Sequence, residues 1–171
     1  MTESQAKSAL KTAIEAERKS LSQYLQFALK TDDSSGKNMF IRLAQDELEH
    51  VGILERQARS LLTGGDWLKI EIEPSEVEMI VPRLSDKDVK IRGTSGQDQL
   101  SALRAALALE QRAHEFYRTR ASASLDPNAK DMYQRLAEME EAHYELIQAE
   151  IDTITKTGFW LGLREFSLEI E

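Results

Sequence analysis

The stretch Arg42-Leu43-Ala44-Gln45-Asp46-Glu47-Leu48-Glu49-His50 returns in outline 93 positions later as Arg135-Leu136-Ala137-Glu138-Met139-Glu140-Glu141-Ala142-His143. Both copies end in Glu-x-x-His, and each pair has a further glutamate thirty residues upstream, Glu17 for the first and Glu110 for the second. On an α-helix, Glu and His three positions apart share one face about one turn apart, so both can reach a single ion. Two such units and two extra carboxylates are the ligand set of a two-metal site inside a helix bundle.

The same offset superposes more of the chain. Ser8-Ala9-Leu10 falls on Ser101-Ala102-Leu103, Tyr24 on Tyr117, Asp33 on Asp126 and Met39 on Met132. An internal duplication of one helical hairpin accounts for this. Thr2-x-x-Gln5 and Ser95-x-x-Asp98 resemble capping boxes ahead of apolar-periodic runs, which starts helices near residues 3 and 97. The first should run over about 3–30 and end before Thr31-Asp32-Asp33. A second takes over about 35–62 and stops at Gly64-Gly65. The third covers about 97–123, and Asp126-Pro127 opens a fourth over about 127–156, before Gly158.

Residues 63–96, with Trp67, Pro74, Pro82 and Gly93, read as a long crossover that lets the second hairpin dock so that the two Glu-x-x-His units face each other. The alternation Leu68-Lys69-Ile70-Glu71-Ile72 is compatible with an extended segment on the bundle. The tail over 158–171 contains the apolar run Phe159-Trp160-Leu161-Gly162-Leu163, suited to docking on this bundle or on a second subunit.

The apolar stripes select among many acidic residues. In the first helix Ala6, Leu10, Ala13, Leu21, Tyr24 and Ala28 alternate three and four apart; Glu17 completes that stripe and Glu15 does not. Glu47 and His50 fill the gap between Leu43 and Leu54, while Glu49 turns outward. Glu110 follows Leu100, Leu103 and Leu107. Glu140 and His143 lie between Leu136 and Ile147, with Glu138, Glu141 and Glu145 off the stripe. Four buried carboxylates would repel one another and pay heavily for lost hydration, so a positive charge must lie among them. Tyr24 and Tyr117, each two turns after a candidate ligand, are core aromatics or hold a ligand carboxylate through the hydroxyl. His114, one turn after Glu110, reads as a boundary histidine, with an accessory ligand or proton shuttle as the other reading.

Composition agrees with an all-α single domain over 1–171. Three prolines and eight glycines leave long stretches free for helix, and the size suits one buried core. The absence of cysteine excludes disulfides, thiolate zinc and cysteine-bound iron–sulfur clusters. No two histidines lie on one helix in the pattern His-Glu-x-x-His, so that type of zinc site is excluded too. The net charge of −8 speaks against nucleic acid. No apolar run has the length of a membrane span, and Met1–Lys7 lacks the order of a signal peptide, so a cytoplasmic location is expected.

The pattern Glu17-x6-Tyr24, Asp46-Glu47-x-x-His50, Glu110-x6-Tyr117 and Glu140-x-x-His143 resembles the ferritin-like di-iron carboxylate superfamily, in particular its rubrerythrin branch. The resemblance implies a four-helix bundle of two duplicated antiparallel hairpins joined by a long crossover. It implies two iron ions, with manganese or zinc as alternatives. Glu17 and Glu110 would be terminal ligands, Glu47 and Glu140 bridges, and His50 and His143 would bind one ion each. The implied activity is reduction of hydrogen peroxide or dioxygen, with ferroxidase activity or a non-catalytic two-metal bundle as alternatives. Two departures stand out. These 171 residues hold no cysteine to ligate the small iron domain usual in rubrerythrins, so a separate electron-donor protein is expected. The position of an additional third-helix glutamate holds Ala113, leaving a set closer to that of bacterioferritin. A homo-oligomer, such as a dimer, is the expected assembly.

Overall fold

The computed structural model describes residues 2–81, 90–92 and 97–162. Four long helices, α1 (Glu3–Lys30), α2 (Ser34–Leu62), α4 (Gln97–Ala123) and α5 (Pro127–Thr157), form an all-α bundle. Between α2 and α4 come a short helix α3 (Glu76–Ile80) and a strand β1 (Lys90–Arg92); β2 (Trp160–Gly162) follows α5. The strands pair antiparallel, with Ile91 opposite Leu161.

The helix limits have identifiable causes. Thr2 and Gln5 form a reciprocal capping box, Gln5 N donating to Thr2 Oγ1 at 3.3 Å and Thr2 N to Gln5 Oε1 at 2.8 Å. Asp33 accepts from the amides of Ser35 and Gly36 at the start of α2. Asp126 caps α5 through Ala129 N, with Pro127 in the first turn, where a missing N–H costs nothing. At the far end Gly158 takes φ +78°, a left-handed cap that suits a residue without a Cβ. The expected Ser95 cap lies outside the described residues.

Links of three residues, 31–33 and 124–126, turn α1 back along α2 and α4 back along α5. The expected crossover proves to be more than a connection, because it carries α3 and β1. Its first part is strapped to the bundle. Gln57, fully buried, donates to Leu68 O at 2.7 Å and accepts from Leu68 N at 2.9 Å. Trp67, Ile70 and Ile72 pack on the core. The repeat-related arginines then clamp α3 from both hairpins, Arg42 pairing with Glu76 at 3.0 Å and Arg135 with both carboxylate oxygens of Glu78.

The start of the tail docks on its own bundle. Trp160 is fully buried, edge-on to Phe40 and against Gly36, and its indole N–H donates to Gln99 Oε1 at 2.9 Å. Residues 163–171, the rest of the apolar tail, lie outside the described residues. No described helix is long and apolar enough to cross a membrane.

Candidate metal centre

Each long helix interrupts its apolar stripe near the middle. Glu17 lies between Ala13 and Tyr24 on α1, Glu47 and His50 between Leu43 and Leu54 on α2, Glu110 between Leu103 and Tyr117 on α4, and Glu140 and His143 between Leu136 and Ile147 on α5. Glu15, Glu49, Glu138, Glu141 and Glu145 all face solvent. The six buried residues therefore form a polar layer between two apolar clusters, one containing Tyr24, Phe40 and Trp160 and the other Leu10, Leu54 and Tyr133. None of the six is more than 2% exposed.

Packing divides the layer into two overlapping groups. Glu17, Glu47, His50 and Glu140 form the first; Glu47, Glu110, Glu140 and His143 form the second. The donor atoms of each group lie within 4.8 Å of one another. Glu47 and Glu140 belong to both. His50 Nδ1 lies 3.1 Å from Glu140, 3.7 Å from Glu47 and 3.9 Å from Glu17. His143 Nδ1 lies 3.5 Å from Glu110, 3.6 Å from Glu140 and 3.8 Å from Glu47. The two imidazoles stack with centroids 5.7 Å apart.

So many ionisable groups in a dry volume cannot all keep their ordinary charge. Burial, reinforced by the charges of Glu17 and Glu140, holds the Glu47 carboxyl well above the usual carboxylate range. Burial and Glu140 do the same to Glu110. Burial acts on Glu140 as well, but His50, Glu110 and His143 outweigh it and hold that carboxyl well below the usual range. For His50 burial disfavours the imidazolium, yet the surrounding carboxylates, Glu140 foremost, raise its pKa well above the usual value. His143 is raised in the same way against burial, by Asp46, Glu110 and Glu140.

Protonated imidazoles are thus the counterions the chain itself supplies, and their geometry serves the carboxylates poorly. Among the described residues Glu47 Oε2, both carboxylate oxygens of Glu110 and of Glu140, and Nδ1 of both histidines make no directed hydrogen bond. Once deprotonated, these carboxylates and imidazoles offer converging lone pairs with no donor aimed at them, which a divalent or trivalent cation satisfies. The residues therefore fit a metal centre on their donor chemistry.

Residues around the layer hold it in place. The Tyr117 hydroxyl donates a short hydrogen bond across to Glu17 of the other hairpin. Burial, then the charges of Glu17 and Glu140, push its phenol pKa well up, so it stays a donor. Tyr24 does not mirror this. Its hydroxyl has no hydrogen-bond partner among the described residues, and its ring stacks on Phe40 at 6.2 Å, leaving it a core aromatic. His114 is half-buried and belongs to neither group.

Asp46 has a role that helical periodicity did not assign. Its Oδ2 lies 2.9 Å from His143 Nε2, with only 7% of the residue exposed. Burial pushes the Asp46 carboxyl up, but the hydrogen bond and charge of His143 and a hydrogen bond from Ser75 outweigh it and keep it low. Ser75 is the cap of α3, so the clamped crossover reaches the centre through Asp46. The signal was present in the repeat, where Asp46 aligns with Met139. A charged residue in one copy and an apolar one in the other, both buried, marks a place where the two halves do different work.

A family model described as rubrerythrin matches residues 8–151. Among solved structures, a hypothetical protein from Pyrococcus furiosus superposes with a TM-score of 0.67 at 24% identity, covering 88% of this chain and 90% of the other. At that identity the likeness bears on the fold. No curated protein matches the chain.

Proposed function

This chain belongs to the rubrerythrin family, and on that footing we propose that its buried layer holds two iron ions and reduces hydrogen peroxide or dioxygen with electrons from a separate donor protein. The observation that carries this reading is the pair of overlapping donor groups sharing Glu47 and Glu140. Glu47 and Glu140 would help hold both ions, Glu17 and His50 one of them and Glu110 and His143 the other, each histidine presenting Nδ1 to the carboxylates. Bound there, a ferrous pair supplies two electrons at one place, which with two protons convert one hydrogen peroxide to two waters.

The chain's own part is positional and electrostatic. Metal binding requires neutral imidazole and ionised carboxylate, so uptake by this layer would be linked to proton release. Asp46 accepts the Nε2–H of His143, which leaves the Nδ1 lone pair facing Glu47, Glu110 and Glu140. Tyr117 sets the orientation of Glu17. The apolar clusters on either side keep bulk water away from the layer.

Ala113 in place of a fifth carboxylate favours a second reading, ferroxidase activity in iron handling. Anaerobic loading with Fe(II), followed by stopped-flow mixing with peroxide or oxygen, separates the two. Peroxide oxidising the protein faster than oxygen, with about two irons retained per chain, supports the first. Ferric iron that leaves and accumulates supports the second. Elemental analysis of natively purified protein tests the centre itself. Two zinc or manganese ions and no redox response after iron reconstitution would leave a structural metal bundle. Glu47→Ala combined with Glu140→Ala should abolish metal retention, and unchanged metal content would refute the ligand set.

A further inference from the structure

A cavity of 290 Å³ opens between α1 and α4 and is lined at its inner end by Glu17 and Tyr117. At about 30 Å³ per water it has room for several small molecules. Its walls come from small and apolar side chains, Ala13 and Ala16 on α1 facing Ala113 and Phe116 on α4. Ala16 is exposed at the rim and Ala113 is half-buried below it. The charged side chains lining it, besides Glu17, are the exposed cations Lys19 and Arg112, and neither forms an ion pair among the described residues. The cavity thus has a cationic mouth, an apolar wall and a floor at the metal layer. A second cavity, between α2 and the crossover, has the opposite character: Asp46, Glu49, Glu71, Glu73 and Glu76 line it against Arg42 and Arg56.

Resting on the di-iron reading above, we propose that the passage between α1 and α4 admits a small uncharged oxidant to the centre, and that Lys19 and Arg112 bar divalent cations from the same route. Hydrogen peroxide and dioxygen are uncharged at neutral pH and cross a cationic rim without penalty. Fe(II) is repelled by two like charges before it meets Glu17, and the two positive side chains act where field lines enter a low-dielectric cleft. Ala113 matters here through its size. A methyl group at that position leaves open the space that a long side chain would fill, directly above Tyr117 and one helical turn past Glu110. The passage stops at Glu17, which is 2% exposed, so the oxidant reaches the layer at its Glu17–Tyr117 edge.

Nitric oxide, uncharged and of dioxygen size, is the probe, with its binding to anaerobically Fe(II)-loaded full-length protein followed by absorbance. Ala16→Phe fills the passage from its exposed rim without altering core packing, and Ala113→Phe fills it from below. Each should slow nitric oxide binding and peroxide oxidation together, by about tenfold, with iron content unchanged. Unchanged rates in an Ala16→Phe protein that loads iron normally would overturn the passage. Lys19→Glu with Arg112→Glu should accelerate Co²⁺ uptake by the metal-free protein at least about threefold and leave nitric oxide binding alone. Co²⁺ uptake at the wild-type rate would overturn the exclusion of cations. A wild-type protein that takes up neither Co²⁺ nor Fe(II) would overturn the metal centre as well; normal uptake with unimpeded nitric oxide in Ala16→Phe overturns the passage alone.

Discussion

Asp46→Ala isolates the contact that makes the two halves of the centre unequal. Asp46 Oδ2 lies 2.9 Å from His143 Nε2 in a place where His143 is fully buried. On the other side of the pseudo-symmetric site His50 Nε2 has no hydrogen-bond partner among the described residues. A hydrogen bond to a charged group contributes about 1.5–3 kcal/mol. At about 1.36 kcal/mol per tenfold, that is roughly 10- to 150-fold in an equilibrium constant, and partners that orient a metal-binding histidine commonly change affinity by about 10- to 100-fold. The expected result is one weakened step of the two, by about 10- to 100-fold, because the aspartate touches only the ring of the Glu110 and His143 position. Co²⁺ is the suitable probe, being silent to oxygen and visible by its d–d absorbance, with calorimetry to resolve the steps. Asp46→Asn keeps the shape and an acceptor oxygen and removes only the charge, so its loss should be smaller. Two steps both within about threefold of wild type would refute the reasoning. Equal weakening of both would instead mean that α2 had repacked.

Three further perturbations probe the surroundings of the layer. Tyr117→Phe removes the donor to buried Glu17, and the metal-free protein should lose about 1–3 kcal/mol in urea unfolding while Co²⁺ loading restores much of the difference. Glu150→Gln should change the pH dependence of stability. Burial raises the Glu150 pKa from 4.5 to about 8, offset in part by the Leu161 amide and assisted by Asp33. Between those values the native state binds the proton that the unfolded chain releases, so wild-type stability falls with rising pH by about 1.4 kcal/mol per unit. Gln does not titrate, and the repeat-related Gln57 already performs the same strapping role, so the variant's advantage should grow from pH 5 to 8 and then level off; a constant difference would count against it. Gly36→Ala places a Cβ 2.7 Å from the buried Trp160 ring. Overpacking of about 1–3 kcal/mol then opposes a helix-propensity gain of up to about 1 kcal/mol. A net loss is expected in denaturant unfolding and a gain in a Trp160→Ala background.

Much of the bundle was readable because its determinants are local. Thr2, Asp33 and Asp126 cap the helices they precede, and Gly158 ends α5, through hydrogen bonds and backbone angles within a few residues. The three-and-four spacing of apolar residues is likewise local, and it separated Glu17, Glu47, Glu110 and Glu140 from their exposed neighbours. The same stripe logic, carried one turn further along α5, would have found Glu150 between Ile147 and Ile154. The crossover was harder. Residues 63–75 hold their path through Gln57, Asn128 and Arg135, none of which is adjacent in sequence to what it grips.

By itself, then, the chain's order of residues determined four helices, their caps, and six polar side chains facing inward at mirrored positions. Family resemblance implied how those six divide, and the tertiary structure is what brings them into the two groups. The sharing of Glu47 and Glu140, the reach of Tyr117 to Glu17 but not of Tyr24 to its counterpart, and the placing of Asp46 on His143 all depend on how far one helix slides and turns against another. Periodicity states which face of a helix is buried. It does not encode the axial stagger between helices, and a shift of one residue, about 1.5 Å, is enough to give a side chain a different partner.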